Sequence, residues 1–350
     1  MKLATEHWHY LYASPTTTAL FKQHPEDFVV EEQLGFSPTG EGEHQFIWIE
    51  KVNANTAFVA EQLAKFCKLP LRAVTYAGRK DKFALTRQWF GIHTPGKADI
   101  DFSQWKMPGV SILKQTRHNK KLRTGQAKTN HFTICLRNVS DPQALGAALE
   151  QSKNGVPNYF GEQRFGVTFN ADGEPTKGGN LELAERMLDG EAIRNRNKRN
   201  IVLSALRSWL FNEVVSARLG ANRFETILSG DALMLSGSNS FFLCEQPTDE
   251  EQSRYQQGDV SPTAPLWGKG DSIVTADAKK LEQLESTEHV AVKAFLASVG
   301  MEQERRAIKI WPRELEWQSE GDKLTVSFAL PGGCFATSVL RECVILQHAS

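Results

Sequence analysis

"NHFTICLRNV" (130–139) sets Phe132, Ile134 and Leu136 against His131, Thr133 and Cys135, and "DKLTVSFAL" (322–330) repeats the alternation with Leu324, Val326, Phe328 and Leu330. Successive side chains of a strand point to opposite faces, so each segment reads as a half-buried strand. The stretch between them is of another kind. "GGNLELAERMLDG" (178–190) and "NIVLSALRSWLFNEVVSARLG" (200–220) have helical periodicity, and Leu203, Leu206, Leu210 and Val214 form one core stripe. Both segments close on glycines, Gly190 and Gly220, that suit C-cap positions. Strands before and after a mostly helical middle are what an insertion into an α+β core looks like.

Further strands are expected at "DFVVEEQL" (27–34), "HQFIWIEKV" (44–52) and "TRQWFGIHT" (86–94), all rich in β-branched and aromatic residues. "NTAFVAEQLAKFCK" (55–68) reads as a helix with Asn55 as N-cap and Pro70 just past its end. Residues 245–272 are rich in Gly, Pro, Asp and Gln and read as loop. After 330 come a "PGG" turn and the helix-like "FATSVLRECVIL". The character of the chain changes near "KNGVPNYFGEQRFG" (153–166), and strand alternation returns after about residue 310. At 350 residues there is room for two domains. Five scattered cysteines without a C-x-x-C pair argue for reduced thiols, and no segment reads as a signal peptide or membrane span. A soluble cytoplasmic protein is expected.

Net charge is zero, but the charge is unevenly placed. Residues 72–137 hold 14 Lys plus Arg against Asp81, Asp99 and Asp101, a local net of +11, and residues 221–300 hold twelve acids against six bases. The densest run, "KQTRHNKKLRTGQAK" (114–128), has six bases and no acid, and "RNRNKR" (194–199) repeats the theme. Such segregation suits a polyanionic partner, with a solvated loop as the plain alternative. Within the basic region, "AGRKDKFALTRQ" (77–88) sets Asp81 among Arg79, Lys80, Lys82 and Arg87, with no second acid within seventeen residues on either side. The cations favour an ionised carboxylate, as a nucleophile or base requires. The plain alternative for Asp81 is a turn residue after Gly78 that caps a backbone N–H.

The motifs of zinc proteases, P-loops, α/β-hydrolase elbows and zinc deaminases are absent, and "HWH" (7–9) is the one close histidine pair. A carboxylate in a basic loop, with aromatics near polar segments, suits a reaction on RNA that needs neither metal nor cofactor. "AGRKDKFALTRQ" closely resembles the A-G-x-K-D-x-x-A-x-T-x-Q signature of the TruD family of tRNA pseudouridine synthases. "FKQHPEDFVVEE" (21–32), "TNHF" (129–132) with "NYFGEQRFG" (158–166), and "LPGGCFATSVLRE" (330–342) resemble further motifs of that family, in order.

The resemblance implies an α+β fold: a pseudouridine-synthase-like antiparallel or mixed sheet core, residues 1–155 and 310–350, with a mostly helical α/β inserted domain, residues 156–309. It implies isomerisation of the uridine at position 13 of tRNA without metal, cofactor or energy source. Asp81 aligns with the catalytic aspartate, and Phe28, Phe132 and Phe335 with substrate-contacting positions. For each phenylalanine taken alone, core packing is the default. Asn130 carries an amide that can donate to and accept from a uracil edge. Lys22, just before the strand of Phe28, is a candidate partner for Asp81, or an ordinary surface lysine. Arg79, Lys80, Lys82, Lys120, Lys121 and Arg123 are expected on phosphates. "NYFGEQRFG" is expected at the junction with the insertion, with no catalytic part. The partner expected is tRNA, without membrane or obligate protein partner, the protein acting as a monomer. A non-catalytic RNA-binding protein on the same scaffold is the competing reading, and a metal-dependent nuclease would need clustered carboxylates.

Overall fold

A computed structural model describes residues 2–167 and 178–348. Its largest sheet has eight strands. In spatial order these are Arg313–Glu320, Lys323–Pro331, Ala127–Leu136, Phe28–Leu34, Leu85–His93, His44–Val52 and Val110–His118, with Val74–Tyr76 paired beside Leu85–His93. The two alternating segments are direct neighbours in it. Val326 opposes Ile134, Phe328 opposes Phe132, and Leu330 opposes Asn130, while Phe132 faces Val30 on the other side. Pairing is antiparallel except between Phe28–Leu34 and Leu85–His93, so the sheet is mixed.

The alternation puts Phe28, Val30, Phe132, Ile134, Val326 and Phe328 in one core, which helix Pro142–Ser152 covers through Leu145 and Leu149. Helix Thr56–Phe66, capped by Asn55 accepting from the Ala57 N–H, buries Val59, Ala60 and Leu63 against Ile47, Ile49, Phe90 and Ile92. The strand and helix assignments for 27–34, 44–52, 55–68 and 86–94 stand, to within a few residues.

The middle of the chain has its own core around the 25-residue helix Arg196–Gly220, whose Leu203, Leu206, Leu210 and Val214 are buried. Beside it lies a four-stranded antiparallel sheet, in the order Phe241–Cys244, Asp231–Leu235, Val260–Leu266 and Glu304–Ala307. "HWH" ties the N-terminal segment onto this core: Trp8 Nε1 donates to Glu213 Oε1 at 2.6 Å, and His7 Nε2 lies 2.9 Å from the same oxygen.

Three expectations change. Residues 245–272 are not a loop: they form helix Asp249–Gln256, started by a Thr248–Glu251 capping box, and strand Val260–Leu266. That strand tolerates Pro262 and Pro265 because its first half pairs with Asp231–Leu235 and its second with Glu304–Ala307. Gly220 is the last helical residue, not a left-handed cap. A Cβ there would come 2.9 Å from the His9 ring, and Asn222 takes the left-handed conformation at φ 54°. Gly190 does have φ 96° just past its helix. Finally, the helix expected after "PGG" stops at Arg341. Ile345–His348 becomes a strand parallel to Thr18–Phe21.

Candidate active site

Residues 77–84 connect two strands, and nearly every spaced residue of the "AGRKDKFALTRQ" motif is spent on holding that connection still. Ala77 and Ala84 are buried. Gln88 Nε2 donates to the Gly78 carbonyl at 3.1 Å, and Thr56 Oγ1 donates to Gln88 Oε1 at 2.9 Å while accepting from the Lys80 N–H at 3.0 Å. Lys51, wholly buried on its strand, donates from one ammonium to the Ala54 carbonyl at 2.8 Å and the Asp81 carbonyl at 2.9 Å. Burial pushes the Lys51 ammonium down to about 8, against the pull of Asp81.

What remains free of the bracing is the Asp81 carboxylate. Its side chain is 26% exposed. Oδ2 lies 3.3 Å from Lys22 Nζ, and Oδ1 accepts from Gln163 Nε2 at 2.9 Å. Lys22 sits in left-handed backbone, φ 54°, an expensive conformation for lysine. Its ammonium stands 3.9 Å from the centroid of the Phe28 ring, a cation–π contact, so its position is set by neighbours on two sides.

The cations around Asp81 in sequence are not the cations around it in space. Lys80 Nζ reaches Glu32 Oε2 at 2.8 Å, in a pair whose side chains are 7% and 0% exposed. Arg87 is divided between Glu31 at 2.5 Å and Glu50 at 2.8 Å. Strand pairing imports these three acids, which sequence distance had hidden. Lys80 is therefore a brace and not a surface available to phosphate. Arg79, Lys82, Lys120, Lys121 and Arg123 are exposed, and none of their side chains has an acidic partner among the described residues.

Phe28 and Phe132 are buried, with ring centroids 6.0 Å apart, and Phe132 lies 5.6 Å from Phe328. Asn130 is buried in the central strand and its Oδ1 has no hydrogen-bond partner among the described residues. A buried orphan acceptor costs about 1–3 kcal/mol and asks for an explanation. Phe335 belongs to a different set. It packs 5.7 Å from Phe160, with the guanidinium groups of Arg164 and Arg306 within 5.9 Å of its ring centroid. Among the described residues no group of three His, Cys, Asp or Glu could hold a metal ion, and no helix is long and apolar enough to cross a membrane.

The sequence profile of the family described as "tRNA pseudouridine synthase D (TruD)" matches residues 5–172 and 189–343. The chain belongs to that family. A protein named tRNA pseudouridine synthase D from Pseudoalteromonas atlantica is 51% identical over 342 residues, covering 97% of each chain. One of the same name from Aeromonas salmonicida is 44% identical over 341 residues, covering 97% of this chain and 94% of its own. The crystal structure of a TruD protein from Methanosarcina mazei aligns with a TM-score of 0.70 over 96% of this chain and 95% of that one, at 20% identity. That last likeness bears on the fold, and it agrees with the mixed α+β sheet.

For this TruD chain, the site residue that sequence reasoning missed is Gln163, inside the "NYFGEQRFG" motif left without a catalytic part. The motif is sewn to "LPGGCFATSVLRE": Arg306 donates to Asn158 Oδ1 at 2.6 Å and to the Gly333 carbonyl at 3.1 Å, and Ser338 Oγ donates to the Tyr159 carbonyl at 2.6 Å. A Cβ on Gly161 would come 2.7 Å from Thr337 Oγ1, so glycine is needed for this close approach. From there the short helix Glu162–Phe165 carries Gln163 to Asp81. Lys51 was missed too, although a signal existed: it falls on the face of Ile47 and Ile49, where a charge demands a reason.

Proposed function

We propose that this chain isomerises the uridine at position 13 of tRNA to pseudouridine, with Asp81 as the catalytic carboxylate. The observation that carries the reading is a single carboxylate, partly exposed, whose two oxygens are held by Lys22 and Gln163 while its main chain is pinned by Lys51. The reaction breaks the N1–C1′ bond, joins C5 to C1′, and moves the C5 proton to solvent while N1 takes one up. Atoms balance within one nucleotide. The work left to the protein is to extrude the base, hold it, and place one anion at the sugar. Asp81 supplies that anion, Lys22 balances its charge, and Gln163 fixes its orientation.

Asn130 Oδ1, the buried acceptor without a partner among the described residues, takes the uracil N3–H. Phe28, Phe132 and Phe335 contact the substrate. Arg79, Lys82, Lys120, Lys121 and Arg123 meet phosphates and set register without reading bases. Residues 1–155 and 310–350 act as the catalytic core and 156–309 as an inserted domain, a division supported by the separation of the eight-stranded sheet from the four-stranded one. The protein acts as a monomer in the cytoplasm, where its tRNA substrate is. The test is pseudouridine mapping of tRNA transcribed without modifications after incubation with the pure protein. Pseudouridine at position 13 is expected, and an RNA that is bound but unmodified would leave the RNA-binding alternative standing.

A further inference from the structure

Beside the catalytic loop lies an open depression of about 660 Å³, lined among others by Asn53, Asn55, Phe58, Lys82, Trp105 and Lys106. Its wall is fixed to the catalytic residue, because the same Lys51 ammonium that binds the Asp81 carbonyl binds that of Ala54, another lining residue. The lining contains two lysines and no acid. It also contains an anomaly. Three phenylalanines are exposed among the described residues: Phe58 at 50%, Phe83 at 46% and Phe241 at 40%. The first lines the depression, and the second stands two residues past Asp81. Exposed aromatic faces give up apolar burial, and two of the three doing so at the rim of one catalytic loop ask for a ligand.

We infer that this depression is a second nucleobase subsite, which takes the base next to the target uridine in the same RNA strand and stacks it on Phe58. The chemistry selects that occupant. A flat aromatic surface receives a base face of any identity, and the flanking Lys82 and Lys106 ammonium groups match the phosphates on either side. The absence of a carboxylate in the lining disfavours a cationic peptide. Extruding the target breaks its stacking with the neighbour, and a platform for that neighbour offsets the loss.

The inference rests on the tRNA-modifying reading, and the experiment separates the two. Wild-type protein and the Phe58→Ala and Phe58→Trp variants are titrated with unmodified tRNA, and with two tRNAs abasic at the nucleotide before or after the target. Phe58→Ala weakens binding of intact tRNA by about tenfold, the scale of one stacked base. Phe58→Trp retains it, and the loss shows in KM. With one of the two abasic tRNAs the Ala substitution costs less than about twofold, since the base that stacks is already gone. Equal losses on all three RNAs, or no loss on intact tRNA, overturn the inference. Should Phe58→Ala lower the melting temperature, Phe58→Leu serves as the second variant, because it keeps apolar bulk without a flat face, and the same pattern across the three RNAs is expected. If wild-type protein forms no pseudouridine in intact tRNA, the failure belongs to the functional reading instead.

Discussion

Lys80 distinguishes a phosphate contact from a structural brace, and the two make opposite predictions for Lys80→Met. In the structure the ammonium faces Glu32 at 2.8 Å, and the Glu32 side chain is wholly buried. Removing Lys80 leaves the carboxylate, among the described residues, with one donor, the Trp89 N–H at 3.1 Å. Stranding one member of a buried pair costs about 3–5 kcal/mol. Lys80→Met combined with Glu32→Gln recovers most of it, because the amide oxygen still accepts from Trp89 and no charge is stranded. The assay is urea unfolding of the wild type, the single variant and the double variant, with tRNA affinity measured across a salt series. The expected result is a large loss in the single variant, recovery in the double, and an unchanged salt slope for the RNA bound by the folded fraction. Stability within about 0.5 kcal/mol of wild type, with a salt slope lower by about one, would refute the brace and restore the phosphate contact.

Two further outcomes follow from the shell around Asp81. Gln163→Ala removes a hydrogen bond to a charged group and lowers single-turnover tritium release from C5-labelled uridine by about 10- to 100-fold. Gln163→Glu lowers it further by placing a like charge at the same oxygen. Lys51 gives a pH signature. Burial holds its ammonium at about 8 in the folded protein, below the ordinary 10.5, so between these values the unfolded chain binds more protons. Stability relative to Lys51→Met therefore rises with pH across that window, by roughly 1.4 kcal/mol per unit at most, and denaturant midpoints at about pH 7 and about pH 9.5 check it.

The sheet was legible because alternation is a local property with a global consequence. Phe132, Ile134 and Leu136 need a core face, and so do Leu324, Val326 and Phe328, whichever strands lie between them in sequence. Proline hid the strand at Val260–Leu266, where a change of partner along its length makes Pro262 harmless. "TDEE" at 248–251 held the signal for the missed helix, a capping box, but the polar composition around it drew attention away. At the site, Asp81 was legible as a solitary carboxylate, whereas its electrostatic neighbours were not. Lys80 and Arg87 are close in sequence and are taken by Glu32, Glu31 and Glu50. Lys22 and Gln163 are distant and arrive at the carboxylate. Charge counted along a chain overlooks what strand pairing brings alongside, so the basic run was overestimated as a set of free cations.

The most direct test of the account is Asp81→Asn, a change that keeps the shape of the side chain and removes its charge. With C5-tritiated tRNA, the prediction is no detectable tritium release at any enzyme concentration, while tRNA affinity stays within about threefold of wild type. Release at a rate close to that of wild type would contradict it, and the catalytic anion would then have to be sought elsewhere in the chain.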